Sequence, residues 1–332
     1  MSLTTDERFM LRCLELAQNG AGAVAPNPMV GSVVVHDGKI IGEGFHQKVG
    51  EAHAEVNAIH AVHNGSLLPD STIYVSLEPC AHFGKTPPCA DLIVAKKIKR
   101  VVIGCLDPFA KVNGAGVKRL TESGAEVRVG ILEKEAMELN RRFMTFHQKK
   151  RPYIILKWAE TADGSVDHIR SDSNQKPLSI TCNTANILVH KWRAEEAAIM
   201  VGKNTAILDD PSLTTRHYRG KNPIRILLDS NSETPASAKI FNTDAETIVI
   251  NENTNDLQLQ LAELHSRDVQ SVMVEGGPTL HRSFYEAGLW DEIRRFVSPI
   301  RIAEGIKAMR VQQEPEQISA VGTDQLYTYR NR

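Results

Sequence analysis

Hydrophobic and polar positions in the first half of the chain alternate with the periods of helices and strands. Thr4 and Glu7 have the spacing of a capping box, and the apolar stripe after them predicts an amphipathic helix. The apolar runs on either side of Asp37-Gly38 predict a β-hairpin. Further helices are predicted over 54–63, 89–97, 117–123 and 133–146, and further strands over 72–77, 101–105 and 126–129. The alternation favours a three-layer α/β domain with a mixed or mostly parallel sheet.

The second half of the chain also alternates between strand and helix patterns, without repeating the first half. A short basic stretch that ends in proline, Gln148-Lys149-Lys150-Arg151-Pro152, separates the two halves. We therefore predict two domains, at 1–148 and 149–332, which suits a length of 332 residues. In the second domain, strands are predicted over 153–157, 197–201, 224–228, 247–250 and 271–274, and helices over 185–193 and 256–265.

The composition narrows the choice of partners. Lys and Arg number 39 and Asp and Glu number 40, so the chain lacks the basic excess of most nucleic-acid binders. No run approaches the roughly 18 apolar residues of a membrane span, and the start lacks the basic and apolar regions of a secretory signal. We expect a cytoplasmic enzyme with no nucleic-acid or membrane partner.

Five scattered cysteines are too few for a disulfide framework and indicate packing residues, metal ligands or nucleophiles. His53 stands at the start of a predicted helix, Cys80 just after a predicted strand, and Cys89 at the start of another helix. One imidazole and two thiolates form a three-ligand set for Zn²⁺ and leave the fourth tetrahedral position for water. Cys89 also lies at the positive end of a helix dipole, which favours the thiolate.

Glu55 supplies the chemistry that this metal set requires. A zinc-bound water has a pKa of roughly 7, and an adjacent carboxylate can take its proton and pass it to a leaving amine. Zinc nucleobase deaminases carry H-x-E followed by P-C-x-x-C. Here eight residues separate Cys80 from Cys89, so the short consensus is not met. The alternative is a structural zinc site in which His82 is the fourth ligand and excludes water. Glu55 would then have no catalytic role.

Four segments resemble the family of bifunctional riboflavin-biosynthesis deaminase/reductases, whose own motif has the long loop between the cysteines. They are Pro26–Gly31, Gly42–His46, Gly50–Glu55 and Glu78–Cys89. The resemblance implies a cytidine-deaminase-like α/β/α domain, one zinc per site on His53, Cys80 and Cys89, and Glu55 as proton shuttle. It also implies substrate contacts, with Asn27, His46 and Glu51 near the pyrimidine and Lys85, Asp107 and Asn113 near the ribose phosphate.

The second half lacks a G-x-G-x-x-G fingerprint. The nearest feature is a predicted strand that runs into Gly276-Gly277-Pro278, where backbone N–H groups at a helix start could hold phosphate, although a plain turn fits equally well. Together with 156–164, 192–194 and 201–216, this segment resembles the same family's reductase domain. That resemblance implies a dihydrofolate-reductase-like α/β fold that uses NADPH.

The reductase resemblance also implies site residues. Substrate contacts are implied for Arg193, Leu213, Arg216 and Glu275, and NADPH contacts for Ala159, Thr205, Asp209, Ser230 and Gly277. The two arginines suit a 5′-phosphate. Lys157 and Glu275 are candidates for proton handling, because reduction of a carbonyl or imine carbon needs a proton as well as a hydride.

One segment departs from the family pattern. The chain carries a few extra residues between Gly164 and Ile180, and Ser179 stands where the family commonly has tryptophan. Loss of that aromatic face removes a stacking contact, so we expect NADPH to bind in a shifted pose or more weakly. The loop from Val166 to Lys176 cannot be aligned with the family.

The resemblance implies two successive reactions in a homo-oligomer, a dimer or tetramer. Deamination of 2,5-diamino-6-ribosylamino-4(3H)-pyrimidinone 5′-phosphate precedes NADPH-dependent reduction of the ribosyl group, which yields 5-amino-6-ribitylaminouracil 5′-phosphate. One alternative is a deaminase with an inactive reductase-like half. A nucleic-acid base deaminase is disfavoured by the 5% aromatic content, and a non-enzymatic zinc module is disfavoured by Glu55.

Overall fold

A computed structural model describes residues 3–82, 87–109, 113–170, 175–252 and 256–331. The chain divides into two compact units, which comprise residues 1–149 and 150–332. Both units have the predicted α/β character. Within the described ranges, none of the helices combines the length and apolarity that a bilayer crossing requires.

The first unit alternates between strands and helices much as the sequence predicts. Its elements are α1 (Thr5–Gln18), β1 (Gly31–His36), β2 (Lys39–Phe45), α2 (Ala54–His60), a 3₁₀ helix (Gly65–Asp70), β3 (Thr72–Leu77), α3 (Cys89–Ala95), β4 (Arg100–Cys105), α4 (Ala115–Glu122), β5 (Glu126–Val129), α5 (Glu133–Leu139) and α6 (Arg141–Lys149). The predicted capping box starts α1, because the Glu7 amide donates to Thr4 Oγ1 and the Thr4 amide donates to Glu7 Oε2.

The first unit is built on a mixed sheet with the strand order β2-β1-β3-β4-β5. β1 is antiparallel to β2 and β3, whereas β3, β4 and β5 are parallel. Alternate strand residues point to opposite faces. On one face, Val33, Tyr74 and Val102 pack against α1, and on the other, Val34, Ile73 and Val101 pack against α2, α3 and α4. The sheet is therefore the middle layer of three.

The prediction of a single helix over 133–146 is wrong, because the structure has two helices there, α5 and α6, which are separated at Asn140. The Asn140 side chain is buried and bonds to the backbone of Met29, accepting from its amide and donating to its carbonyl, both at 2.8 Å. This contact joins residues that are 111 positions apart in sequence, so no local pattern could predict the break.

The second unit contains the predicted strands and helices, together with elements that were not predicted. Its elements are β6 (Tyr153–Glu160), β7 (Ser165–Asp167), α7 (Asn183–Glu195), β8 (Ala198–Gly202), α8 (Lys203–Asp209), β9 (Ile224–Leu228), a 3₁₀ helix (Lys239–Phe241), β10 (Thr247–Ile250), α9 (Leu257–Ser266), β11 (Ser271–Gly276), α10 (Pro278–Glu286), β12 (Glu292–Val297), β13 (Ile306–Lys307), β14 (Gln317–Val321) and β15 (Asp324–Arg330). Among those not predicted are β7, α8 and the C-terminal strands from β12 onwards.

An eight-stranded sheet organises the second unit in the order β10-β9-β8-β11-β6-β12-β15-β14. The first six strands in this order, β10, β9, β8, β11, β6 and β12, are parallel to one another. The last two, β15 and β14, complete the sheet in antiparallel pairing. Because these six strands are parallel, their carboxyl ends lie at one edge of the sheet. In open α/β sheets, that edge is where ligands bind.

Candidate functional site

Three metal-ligating side chains meet at one end of the first unit. His53 directly precedes α2, Cys80 follows β3, and Cys89 is the first residue of α3. Their ligand atoms all lie within 4.8 Å of one another, and His53 Nδ1 is 3.6 Å from Cys80 Sγ and 3.3 Å from Cys89 Sγ. A tetrahedral zinc with ordinary bond lengths separates nitrogen and sulfur ligands by about 3.6 Å. The donor set therefore fits zinc in both chemistry and spacing.

Hydrogen bonds tie the two cysteines together. The Cys89 amide donates to Cys80 Sγ at 3.3 Å, and the Ala90 amide donates to the Cys80 carbonyl at 3.1 Å. The hydrogen bond from the Cys89 thiol lowers the pKa of Cys80 despite burial, whereas Cys80 and burial both raise the pKa of Cys89. A divalent cation would bind both sulfurs as thiolates, so metal binding would release protons here.

Glu55 lies in the first turn of α2 and its side chain is buried. Burial, with a further contribution from the Cys80 charge, raises the pKa of Glu55 to about 7. A carboxyl group that exchanges its proton near neutral pH is suited to general acid and base catalysis. Glu55, the predicted proton shuttle, therefore lies in the first turn of α2, two residues after the candidate ligand His53 at the start of the helix.

The residues predicted near the pyrimidine lie around His46. Its Nε2 is 3.1 Å from Asn27 Nδ2, its Nδ1 is 3.1 Å from the Ala52 carbonyl, and its ring centroid is 5.4 Å from that of His53. Nδ1 faces a carbonyl oxygen and Nε2 faces an amide nitrogen, which fits a ring with Nδ1 donating and Nε2 accepting, and burial lowers the pKa of His46. Glu51 is exposed on the turn before α2.

The residues predicted near the ribose phosphate lie on the segment between β4 and α4. Asp107 is buried and accepts the Phe109 amide at 2.8 Å, and burial raises the pKa of Asp107 to about 6. The Asn113 amide donates to the Phe109 carbonyl at 3.1 Å, and its side chain is exposed. Lys85 lies outside the described residues.

Sequence reasoning assigned no role to Glu78. Its buried carboxylate accepts backbone N–H groups from the β4–α4 segment and from the first turn of α4. The only signal in the sequence is that Glu78 directly precedes Pro79-Cys80.

A second cluster forms where β6, β11 and α7 meet in the second unit. The strand register pairs Leu156 with Val274, and the residues that follow them, Lys157 and Glu275, are close enough for their charges to interact. Arg193 donates to both carboxylate oxygens of Glu275, from Nε at 3.0 Å and from Nη2 at 2.6 Å. Burial alone would raise the pKa of Glu275, but the charges of Arg193 and Lys157 lower it to about 2. Burial lowers the pKa of Lys157.

The segment after α8 brings the other predicted substrate residues to this cluster. Arg193 Nη1 donates to the Thr214 carbonyl at 3.2 Å, and Leu213 is buried with a left-handed φ of 52°. The Arg216 amide donates to Nδ1 of His190 at 3.0 Å. His190 was not predicted, although it lies one helical turn before Arg193 on α7.

The residues predicted to contact the dinucleotide follow the carboxyl ends of parallel strands. Ala159 lies near the end of β6, Thr205 on α8 after β8, Ser230 after β9, and Gly277 after β11. A Cβ on Gly277 would lie 3.4 Å from Thr205 Oγ1, so the chain passes close to Thr205 where α10 begins. This edge has the position where open α/β sheets bind dinucleotides, and a helix begins there.

Asp209, the fifth residue of this set, is already paired with Arg170. Arg170 belongs to the segment that could not be aligned, and its side chain is 5% exposed. It donates to Asp167 at 2.7 Å and to the Leu208 carbonyl at 3.0 Å, and it forms an ion pair with Asp209. Ser179 is exposed.

Comparisons with known proteins agree with this division of the chain. The family model for the cytidine and deoxycytidylate deaminase zinc-binding region matches residues 3–105, and the model for the RibD C-terminal domain matches residues 152–326. The chain is 42% identical to the riboflavin biosynthesis protein RibD of Aquifex aeolicus, over 91% of this chain and 89% of that protein. It is 36% identical to the RibD of Escherichia coli, over 89% and 88%.

Solved structures resemble both units at once. A crystal structure from Thermotoga maritima, of a diaminohydroxyphosphoribosylaminopyrimidine deaminase/5-amino-6-(5-phosphoribosylamino)uracil reductase, matches with a TM-score of 0.87 and 35% identity. The RibD of Acinetobacter baumannii matches with a TM-score of 0.88 and 32% identity. Each match covers 99% of both chains.

Proposed function

Because the chain belongs to the RibD family of riboflavin-biosynthesis proteins, which pair a zinc-dependent deaminase with a reductase, we propose that it catalyses two successive steps on one phosphorylated pyrimidine. The predicted family, α/β fold class and pair of enzymatic domains are confirmed by these matches. The observation that carries the two-step proposal is the presence of two separate clusters, one around His53, Cys80 and Cys89 and one around Lys157, Arg193 and Glu275.

The proposed first step deaminates 2,5-diamino-6-ribosylamino-4(3H)-pyrimidinone 5′-phosphate. His53, Cys80 and Cys89 would hold zinc, which supplies a nucleophile from water at neutral pH. Glu55 would take the proton of the attacking water as its oxygen bonds to the ring carbon, and would pass that proton to the departing amino group, so that the carbon–nitrogen bond breaks and ammonia leaves. Asn27 and His46, linked by a hydrogen bond, orient the pyrimidine.

The proposed second step reduces the ribosyl group of the deaminated product to a ribityl group. NADPH, bound at the carboxyl edge of the parallel strands, would supply the hydride. Lys157 handles the accompanying proton, because burial weakens its hold on that proton, while Glu275 stays ionised in its pair with Arg193. Arg216 binds the 5′-phosphate of the substrate.

The deciding experiment follows both products in one assay. Purified protein with bound zinc receives the diaminopyrimidinone phosphate, and ammonia is measured before and after NADPH is added. We expect ammonia release without NADPH, and NADPH oxidation only after ammonia has been released. Ammonia release without any NADPH oxidation would favour the deaminase-only alternative, which the exposed Ser179 motivates.

We also propose that the enzyme acts in the cytoplasm, prefers NADPH to NADH, and assembles as a homo-oligomer. The cofactor preference is tested by replacing NADPH with NADH in the second half of the assay. Light scattering of the purified protein measures the oligomeric state, and a monomer would contradict the proposal.

A further inference from the structure

Glu78 connects the segment that carries Cys80 with the segment between β4 and α4. Glu78 is 4% exposed, and its carboxylate accepts hydrogen bonds from four backbone N–H groups. Oε2 accepts from Asp107 at 3.3 Å and Gly114 at 2.9 Å, and Oε1 accepts from Gly116 at 2.9 Å and Val117 at 3.2 Å. All four donors are main-chain atoms, so Glu78 fixes backbone position.

The two ends of the segment between β4 and α4 are anchored to one atom. Asp107 and Gly114 both donate to Oε2 of Glu78, so this oxygen sets the distance between the two ends. Asp107 and Asn113, which the family resemblance places near the ribose phosphate, stand at these ends. Cys80 stands two residues beyond Glu78.

Close packing holds the same arrangement from the other side. A Cβ on Gly116 would lie 2.0 Å from the Pro79 carbonyl oxygen, so the first turn of α4 contacts the peptide between Pro79 and Cys80. A residue larger than glycine at position 116 would push the helix start away from the carboxylate. Glu78 and Gly116 therefore fix one interface between the metal-ligand segment and α4.

We propose that Glu78 is a positioning residue for the deamination. It holds Asp107 and Asn113 beside the ribose phosphate of the substrate, and it touches neither the substrate nor the metal. This inference rests on the proposed function, since it takes the phosphorylated pyrimidine as the ligand. A carboxylate is required because both of its oxygens accept, whereas an amide would direct N–H groups at two of the four donors.

The test compares the variants E78Q and E122Q of the full-length, zinc-loaded protein. Glu122 is an exposed glutamate at the other end of α4, so its replacement changes the same charge without reaching the segment. For E78Q we expect the KM of the deamination to rise about tenfold or more, a change of less than about threefold in kcat, and one zinc per chain. E122Q should keep the wild-type KM.

The second unit provides an internal control, because NADPH oxidation with deaminated substrate should be the same in all proteins. A wild-type KM for E78Q overturns the inference while leaving the proposed function intact. If the wild type releases no ammonia from this substrate, the proposed function fails, and the inference fails with it.

A second variant, E78D, decides the case in which E78Q does not retain zinc. E78D keeps the charge but is one methylene shorter, so it cannot reach all four amides. A raised KM with zinc bound supports the inference, and a wild-type KM overturns it. Loss of zinc from both variants also overturns it, since Glu78 would then act on the ligand cysteines and not on the substrate segment.

Discussion

Arg193 and Glu275 form a forked pair in which two guanidinium nitrogens donate to the two oxygens of one carboxylate, and their side chains are 11% and 8% exposed. Lysine at position 193 would keep the positive charge, but its ammonium group could not donate to both carboxylate oxygens in the forked geometry of a guanidinium. Loss of one charge-assisted hydrogen bond costs about 1.5–3 kcal/mol, or roughly 10- to 100-fold. We expect R193K to lower kcat/KM for NADPH oxidation by that factor, while R310K, at an exposed arginine, changes nothing. Equal ammonia release by both variants would show that the first unit is unaffected.

The same pair predicts how stability depends on pH. Glu275 has a pKa of about 2 in the folded chain, whereas an unfolded glutamate titrates near pH 4.3. Its contribution of roughly 3 kcal/mol is therefore complete above about pH 4.3 and is lost as the pH falls towards about 2. Thermal unfolding of the wild type and E275Q across this range tests it. E275Q should melt lower at neutral pH, and the difference should shrink in acid; a constant difference contradicts the prediction.

Replacement of Glu55 separates proton transfer from metal binding. E55Q keeps the shape of the side chain but cannot carry a proton, so we expect ammonia release to fall by about 10²- to 10⁴-fold. The zinc content should not change, because His53, Cys80 and Cys89 supply the ligand atoms. E126Q, which removes an exposed carboxylate from β5, is the matched control. An E55Q protein that deaminates at the wild-type rate would refute the shuttle.

Removal of the metal should inactivate only the first unit. Dialysis against a chelator is expected to abolish ammonia release and to leave NADPH oxidation with deaminated substrate unchanged, because the three ligands all lie within residues 1–149. Added Zn²⁺ should restore ammonia release. C89S should bind zinc less tightly than the wild type, since a hydroxyl is a poorer zinc ligand than a thiolate. Deamination that survives complete chelation would contradict the proposal.

Arg170 is expected to support dinucleotide binding by neutralising Asp167 and Asp209. R170M leaves two carboxylates unpaired at the edge where the phosphates are proposed to bind, so the Kd for NADPH should rise on the order of tenfold. Added salt should reduce the defect because it screens the repulsion. Fluorescence titration with NADPH measures both effects. R310M, which removes an exposed arginine, serves as control, and an unchanged Kd for R170M would exclude this role.

Local signals in the sequence predicted much of the fold. The capping box of Thr4 and Glu7 and the turn at Asp37-Gly38 are fixed by neighbouring residues, and both are present in the structure. The strands β12 to β15 were missed: β14 and β15 form a local hairpin that was not predicted, whereas β12 pairs with β15 and β13 pairs with β7 across residues far apart in sequence. The break at Asn140 escaped for the same reason, since its partner Met29 belongs to another part of the chain.

The candidate metal site was more predictable than its surroundings. Imidazole and thiols are chemically distinctive, so His53, Cys80 and Cys89 could be chosen by residue type before their distances were known. The role of Glu78 depends on four backbone amides, which no side-chain pattern reveals. His190 was likewise hidden, because its partner is the main-chain amide of Arg216.

His53 occupies the cap position of α2, yet its side chain makes no capping hydrogen bond, because the imidazole turns towards the two sulfurs. Asparagine or serine there would satisfy a free amide of the first turn and strengthen the helix by about 1 kcal/mol. Laboratory evolution for heat tolerance alone would thus be drawn towards replacing this residue. A selection for heat resistance should therefore also screen for ammonia release, because otherwise it will enrich more stable variants that no longer bind the metal.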